Sequence, residues 1–180
     1  LNRCRYGLFV LSWGRRIAVA VVVVAVVGVG LLTYFVTAPT TQRAAPAQVV
    51  VLLGPPYRPG MLTTAERIDR LSPQAMVLIS TPGGIGCRQR FAHQLCFEPD
   101  PLTTEGEARY GTTWAHDHGA TSITVVAPTY QAARARVWFG RCWSQHLSVV
   151  AASTSIGARI RQIPYQGAGF VKAEIFERRC

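Results

Sequence analysis

The chain has 180 residues, with 19 basic against 9 acidic side chains, a net charge of +10, and a hydrophobic share of 49%. That length holds about one domain, and the apolar share excludes an intrinsically disordered chain, which lacks the area to offset its ordering entropy. One long apolar run excludes a polytopic membrane protein, and the lack of a heptad, collagen or longer repeat excludes coiled-coil, fibrous and solenoid folds.

Residues 17–36, IAVAVVVVAVVGVGLLTYFV, carry no charge. As a helix they measure about 30 Å, the thickness of a bilayer's hydrocarbon core. Valine is a mediocre helix former in water, but in lipid every backbone group must be satisfied within the segment, and that forces a helix. Tyr34 and Phe35 fall where an aromatic interface residue is expected. Arg3, Arg5, Arg15 and Arg16 precede the run and only Arg43 follows closely. The positive-inside bias therefore predicts a cytoplasmic N-terminus, with everything after about residue 37 across the membrane. A cleaved signal peptide is the rival, because Ala45-Pro46-Ala47 resembles a small-residue cleavage site. The apolar run is longer than a usual signal core, which favours an uncleaved anchor. The predicted organisation is a basic cytoplasmic tail (1–16), a transmembrane helix (17–36), a Pro/Ala/Thr-rich linker lifting the domain off the bilayer (37–47) and an extracytoplasmic domain (48–180).

Eighteen of the nineteen basic residues are Arg, with Lys172 the exception. The first sixteen residues hold four Arg and no acid, which leaves +6 for the remainder. Outside the cytoplasm such charge points to anionic lipid headgroups or acidic wall polymers, and no nucleic-acid partner is expected. Scattered, solvated Arg reads equally well. Of the five cysteines, Cys4 lies on the predicted cytoplasmic side and Cys87, Cys96, Cys142 and Cys180 in the exported part. An even count in an oxidising compartment is consistent with two disulfides. Three pairings are open and spacing does not decide between them. The local pair Cys87–Cys96 is preferred, leaving Cys142 with Cys180. Zinc held by Cys87, His93 and Cys96 is weaker, because no fourth ligand is near.

Along the exported part, apolar runs alternate with helical patterns. Strands are predicted at 48–53, 75–80, 96–98, 122–127 and 147–151. Helices are predicted at 63–71, 87–95, 104–118, 131–143 and 167–179. Short, continuous Val/Ile/Leu-rich strands between helices signal parallel strands buried on both faces. The fold class is therefore α/β, a three-layer Rossmann-like domain with a mostly parallel sheet. Thr104-Glu105-Gly106-Glu107 fits a capping box, in which the Thr oxygen accepts an amide proton and the Glu reaches back. Gly106 inside that first turn costs about 1 kcal/mol against Ala, a hint of close approach by a ligand or another backbone.

Ligands of an open parallel sheet bind beyond the carboxyl ends of the strands. Four segments fall there: 54–58, 80–86, 98–104 and 127–134. Backbone amides at helix N-termini together with Arg suit an anionic or phosphate-bearing ligand. Segment 80–86 is neither a P-loop, lacking the Gly-Lys-Ser/Thr ending, nor a dinucleotide fingerprint, its glycines being wrongly spaced; alone it is a strand-exit turn. His116-Asp117-His118 is not a metal cluster, since residues two apart do not share a helix face, and a His at a helix C-terminus is a favourable dipole partner. There is no Gly-x-Ser-x-Gly elbow. Trp138, Phe139 and Trp143 read as core. Arg134, in the first turn after a strand, is the functional candidate of the Arg134/Arg136/Arg141 series, and the other two read as solvated.

The order apolar strand–Gly, apolar strand–Ser-x-x-Gly-Gly, Glu-x5-Thr-x-x-Glu-Ala, apolar strand–x-x-x-Tyr-x-x-x-Arg-Ala resembles the YdcF/SanA/ElyC-like family of bacterial envelope proteins over roughly residues 48–151. Glu98, Thr104, Glu107, Arg134 and Ala135 match its pattern. Pro101, Thr103 and Gln131 stand where the family has Ser, Asn and His. The resemblance implies a Rossmann-like domain tethered by one helix and a role in envelope integrity or peptidoglycan-related metabolism. Gln131 cannot act as a general acid or base where a His could. The predicted ligand-binding residues are Gly54, Arg58, Ser80, Gly83, Gly84, Glu98, Thr104, Glu107, Tyr130 and Arg134, with no metal site and no cofactor assigned. The leading function is binding of an anionic, phosphate-bearing cell-wall or lipid precursor. A non-catalytic interaction module at the membrane surface and a phosphate-ester hydrolase are the alternatives.

Overall fold

A computed structural model of the chain describes residues 3–37, 42–54, 58–84, 87–175 and 180. The chain divides into two units, Leu1–Phe35 and Val36–Cys180.

The first unit is one helix, α1 (Arg3–Thr37). Within it Trp13–Gly30 is long and apolar enough to cross a membrane, and none of that window is buried against protein. Val19, Val21, Val22, Val24 and Val26 all lie more than half exposed. The side chains of Tyr34 and Phe35 fall outside the described residues.

The second unit is a five-stranded sheet of β1 (Val49–Leu52), β2 (Met76–Ser80), β3 (Gln94–Phe97), β4 (Ser122–Pro128) and β5 (His146–Ala152), in the order β3-β2-β1-β4-β5. Every pairing is parallel. The helices are α2 (Pro59–Leu71), α3 (Thr104–Asp117), α4 (Ala132–Cys142) and α5 (Ile156–Ile175). Strand residues alternate between two apolar clusters, as a period of two requires. Val49, Val51, Leu78, Ile123 and Val125 join Phe139 and Trp138 on the face that carries α3 and α4. Val50, Leu52, Val77, Ile79 and Val126 join Met61, Ala65 and Ile68 of α2 on the other. Trp143 is also core. The expected three-layer, Rossmann-like α/β fold is present, and the sheet is parallel throughout.

Two local expectations, a helix at 87–95 and the start of the closing helix, are corrected. The predicted helix 87–95 is an irregular segment leading into β3. There the Gln94 side chain replaces helical partners: Oε1 accepts the Arg90 amide (2.9 Å) and Nε2 donates to the Arg88 carbonyl (3.0 Å). Cys87 is bonded to Cys96 and Cys142 to Cys180, so the preferred pairing holds and the thiolates a zinc site would need are consumed. The closing helix begins at Ile156, eleven residues before the predicted start, and runs through Pro164. The linker's described part, 42–47, lies along the domain: Gln42 Oε1 accepts the Val149 amide (2.7 Å) and the Ala47 amide donates to Ser72 Oγ (2.9 Å).

The order of the strands positions the site. From β1 the chain moves outward to β2 and β3, then returns across the sheet to β4. Loops leaving β1 and β4 therefore part in opposite directions, and the crevice between them is where such sheets take ligands.

Candidate functional site

Three helices, α2, α3 and α4, begin at this end of the sheet, and none of their N-terminal residues (Arg58, Thr103, Gln131) makes a side-chain cap. Their first amides lack helical partners and carry the positive end of the dipole. Thr103, not Thr104, is the N-cap of α3. The capping-box expectation is corrected: Thr104 and Glu107 sit one position too far along, and both side chains turn inward, 1% and 3% exposed.

Thr104 Oγ1 is a convergence point. It accepts from Gln131 Nε2 (2.8 Å), Arg134 Nε (3.1 Å) and Arg134 Nη2 (2.8 Å). The guanidinium is thereby clamped in one orientation while buried. Among the described residues no carboxylate oxygen lies within ion-pair distance of it. A buried cation of this kind is costly to desolvate and is ordinarily offset by an anion.

Glu107 is the nearby acid. Its Oε1 accepts the Gly54 amide (2.8 Å) and its Oε2 accepts Gln131 Nε2 (3.2 Å). Burial raises its pKa from the usual 4.5 to about 7; the Gly54 amide, the Ser80 hydroxyl, the Arg134 charge and Gln131 oppose that rise without cancelling it. Ser80 Oγ is buried close by yet makes no hydrogen bond of good geometry. At neutral pH the carboxyl is thus about half protonated, and the Arg134 charge is only partly balanced. Gly54 is required here: a Cβ would come within 2.6 Å of Pro82 Cδ.

Opposite, Arg58 Nη1 donates to the Tyr130 hydroxyl (2.6 Å), with the guanidinium carbon 5.6 Å from the ring centre. Burial pushes the Tyr130 pKa above its usual value, with Arg58 and Arg134 opposing.

These groups line one cavity of about 170 Å³. Its wall includes Gly54, Arg58, Thr104, Glu107, Tyr130, Gln131 and Arg134 from the strand ends, and Gln162, Tyr165 and Gln166 from α5. Six of the ten predicted ligand-binding residues, Gly54, Arg58, Thr104, Glu107, Tyr130 and Arg134, are therefore brought together. Ser80 lies buried beside Glu107. Gly83, Gly84 and Glu98 do not line the cavity: Glu98 Oε1 accepts the Gly83 amide (3.1 Å), and both glycines have positive φ (75° and 68°). They form a turn fastened to β3's exit, as the strand-exit reading of that segment expected. The predicted rim also included 55–57 and 85–86, which lie outside the described residues.

The α5 wall was missed. Its signal is faint: Gly167 and Gly169 inside a helix, each costing about 1 kcal/mol against Ala. Gly169 has a packing reason, since a Cβ there would collide with Arg134 Nη1. Tyr165 lies over the same guanidinium, 5.4 Å from ring centre to carbon. Gly106 also has one, because a Cβ would strike the Pro101 carbonyl oxygen. Elsewhere, His118 closes α3, its Nδ1 2.7 Å from the Trp114 carbonyl and its ring stacked on Trp114. Arg136 is exposed, whereas Arg141 packs over Trp138 rather than standing free in solvent. Among the described residues no cluster of three potential metal ligands occurs.

No protein-family model, curated protein or solved structure matches the chain.

Proposed function

We propose that this is a membrane-anchored protein of the bacterial cell envelope, of YdcF/SanA/ElyC-like type, whose domain binds an anionic, phosphate-bearing envelope precursor at the strand-end cavity and so serves cell-wall or envelope integrity. The observation that carries the reading is Arg134: a buried guanidinium, clamped by Thr104, facing a cavity and, among the described residues, without a carboxylate within ion-pair distance. Arg58 and the uncapped starts of three helices add positive potential around the same space. An apolar helix able to span a bilayer supports the anchor. Two disulfides suit an oxidising compartment beyond the membrane, and the Arg residues before the span suit a cytoplasmic N-terminus.

The test is a calorimetric titration of the full chain, held in phosphatidylcholine nanodiscs, with inorganic phosphate. Binding that Arg134→Ala weakens at least 100-fold, with the variant's circular dichroism unchanged, supports the reading. Equal binding by the two proteins sinks it and leaves the non-catalytic interaction module.

A second reading, hydrolysis of a phosphate ester, is favoured by Glu107 alone. A carboxyl with a pKa of about 7 is poised for general acid–base work at neutral pH. Phosphate release from a soluble phosphomonoester, abolished in Glu107→Gln, is the result it requires.

A further inference from the structure

A second cavity, of about 520 Å³, adjoins the first. Thr103, Thr104, Arg134 and Tyr165 line both. The second is mainly apolar, with Pro101, Trp138 and Ala168 in its wall and Gly169 opening room beside Arg134. Arg134 thus stands between a small polar chamber and a larger apolar one.

The small chamber also carries a polar atom in need of a partner. Gln166 is 3% exposed and lines it, and its Oε1 makes no hydrogen bond. The two ends of an amide are nearly isosteric, so that position can accept from a ligand hydroxyl or, turned over, donate to a ligand oxygen. Its Nε2 donates to Gln162 Oε1 (3.4 Å), so the oxygen alone is unpaired, at a cost in free energy that a polar ligand group would recover.

Resting on the anion-binding reading above, we infer that the ligand is an organic phosphate ester with an apolar substituent: the phosphoryl group lies against Arg134, Arg58 and Gln166, and the substituent lies against Trp138, Pro101 and Ala168. The charge selects the head and the neighbouring apolar wall selects the tail. A free phosphate ion or a hydrophilic ester leaves the larger chamber wet. Each methylene moved from water to such a wall favours binding several-fold when fully buried.

The experiment compares four soluble probes on the full chain in phosphatidylcholine nanodiscs: inorganic phosphate, glycerol 3-phosphate, butyl phosphate and phenyl phosphate. Butyl or phenyl phosphate is expected to bind at least about tenfold more tightly than the other two. A preference for butyl over phenyl phosphate points to an acyl or alkyl lipid as the source, and the reverse to a ring-bearing metabolite; either supports the class. Ala168→Phe, at an exposed helical position, fills the larger chamber. It is expected to erase the advantage of the apolar esters over inorganic phosphate measured on the same variant. Gly169→Ala, by displacing Arg134, is expected to weaken all four probes. If glycerol 3-phosphate matches butyl and phenyl phosphate, or if their advantage survives in Ala168→Phe, the second chamber is not a subsite and this inference fails while anion binding stands. If none of the four binds, both fall.

Discussion

The cleft has two walls of different construction. The strand-end wall consists of Gly54, Thr104, Glu107, Gln131 and Arg134, held by hydrogen bonds between elements far apart in sequence and seated on a continuous apolar core. The α5 wall consists of Gln162, Tyr165 and Gln166 on a helix that packs against α4, whose last residue, Cys142, is bonded to Cys180, five residues beyond the end of α5. Tyr165 is 60% exposed and Ile160 57%. Rigid groups of fixed orientation belong where charge is recognised, because preorganisation removes the cost of ordering at the moment of binding. A helix with an exposed outer face is suited to shaping the entrance. On the proposed reading, the strand-end wall would set what is bound and α5 how well it is enclosed.

The largest expected effect tests the strand-end wall through pH. The folded pKa of Glu107 lies above the unfolded one, so the neutral carboxyl is favoured in the folded state. No penalty exists below about pH 4.5, where both states are protonated. Stability is lost as pH rises toward 7, and the loss then levels off at about 3 kcal/mol. Urea unfolding of the domain at pH 5 and pH 8 is expected to show this fall in the wild type and not in Glu107→Gln. A fall of equal size in both proteins means that Glu107 is not the group responsible.

Next comes the proton linkage of binding. Sulfate keeps its charge between pH 6 and 8, while Glu107 passes from mostly neutral to mostly ionised. Sulfate affinity is expected to drop about tenfold across that interval. Glu107→Gln is expected to flatten the profile.

The α5 wall is broken by replacing Cys142 and Cys180 with Ser. Hydrogen exchange is expected to accelerate in α5 and to stay slow in β1, β2 and β4, and phosphate affinity to fall by about three- to tenfold through poorer enclosure. Acceleration spread evenly across the sheet denies the division between the walls. The smallest effect is expected from Tyr165→Ala, which removes a partly exposed cation–π contact with Arg134 of about 0.5–1 kcal/mol, a two- to fivefold change in affinity.

The same contrast explains what was legible in the sequence. The strand-end wall could be read because β-branched runs such as Val49–Leu52 fix the strands, and parallel topology then collects Gly54, Thr104, Glu107, Tyr130 and Arg134 at one end. What could not be read was the offset of one residue at the start of α3. Thr103 and Thr104 are equally good caps locally, and only the donors of Gln131 and Arg134, distant in sequence, draw Thr104 inward. The α5 wall was illegible for a different reason. Pro164 argues against a helix through residue 164, since it removes a backbone donor and crowds the preceding turn, yet α5 runs through it. Its contributing side chains are polar, and their spacing copies no motif. Gly169 makes sense only once Arg134 is seen beside it. Glu98 failed as a cavity residue because its carboxylate is spent on the Gly83 amide.

The central claim is that an oxyanion sits against Arg134 at the strand-end crevice. Crystals of the full chain soaked in selenate, whose selenium scatters anomalously, test it directly. The account predicts an anomalous peak within hydrogen-bond reach of the Arg134 guanidinium, between it and Arg58. A cavity without a peak, with selenate found only on exposed arginines such as Arg136, would contradict it.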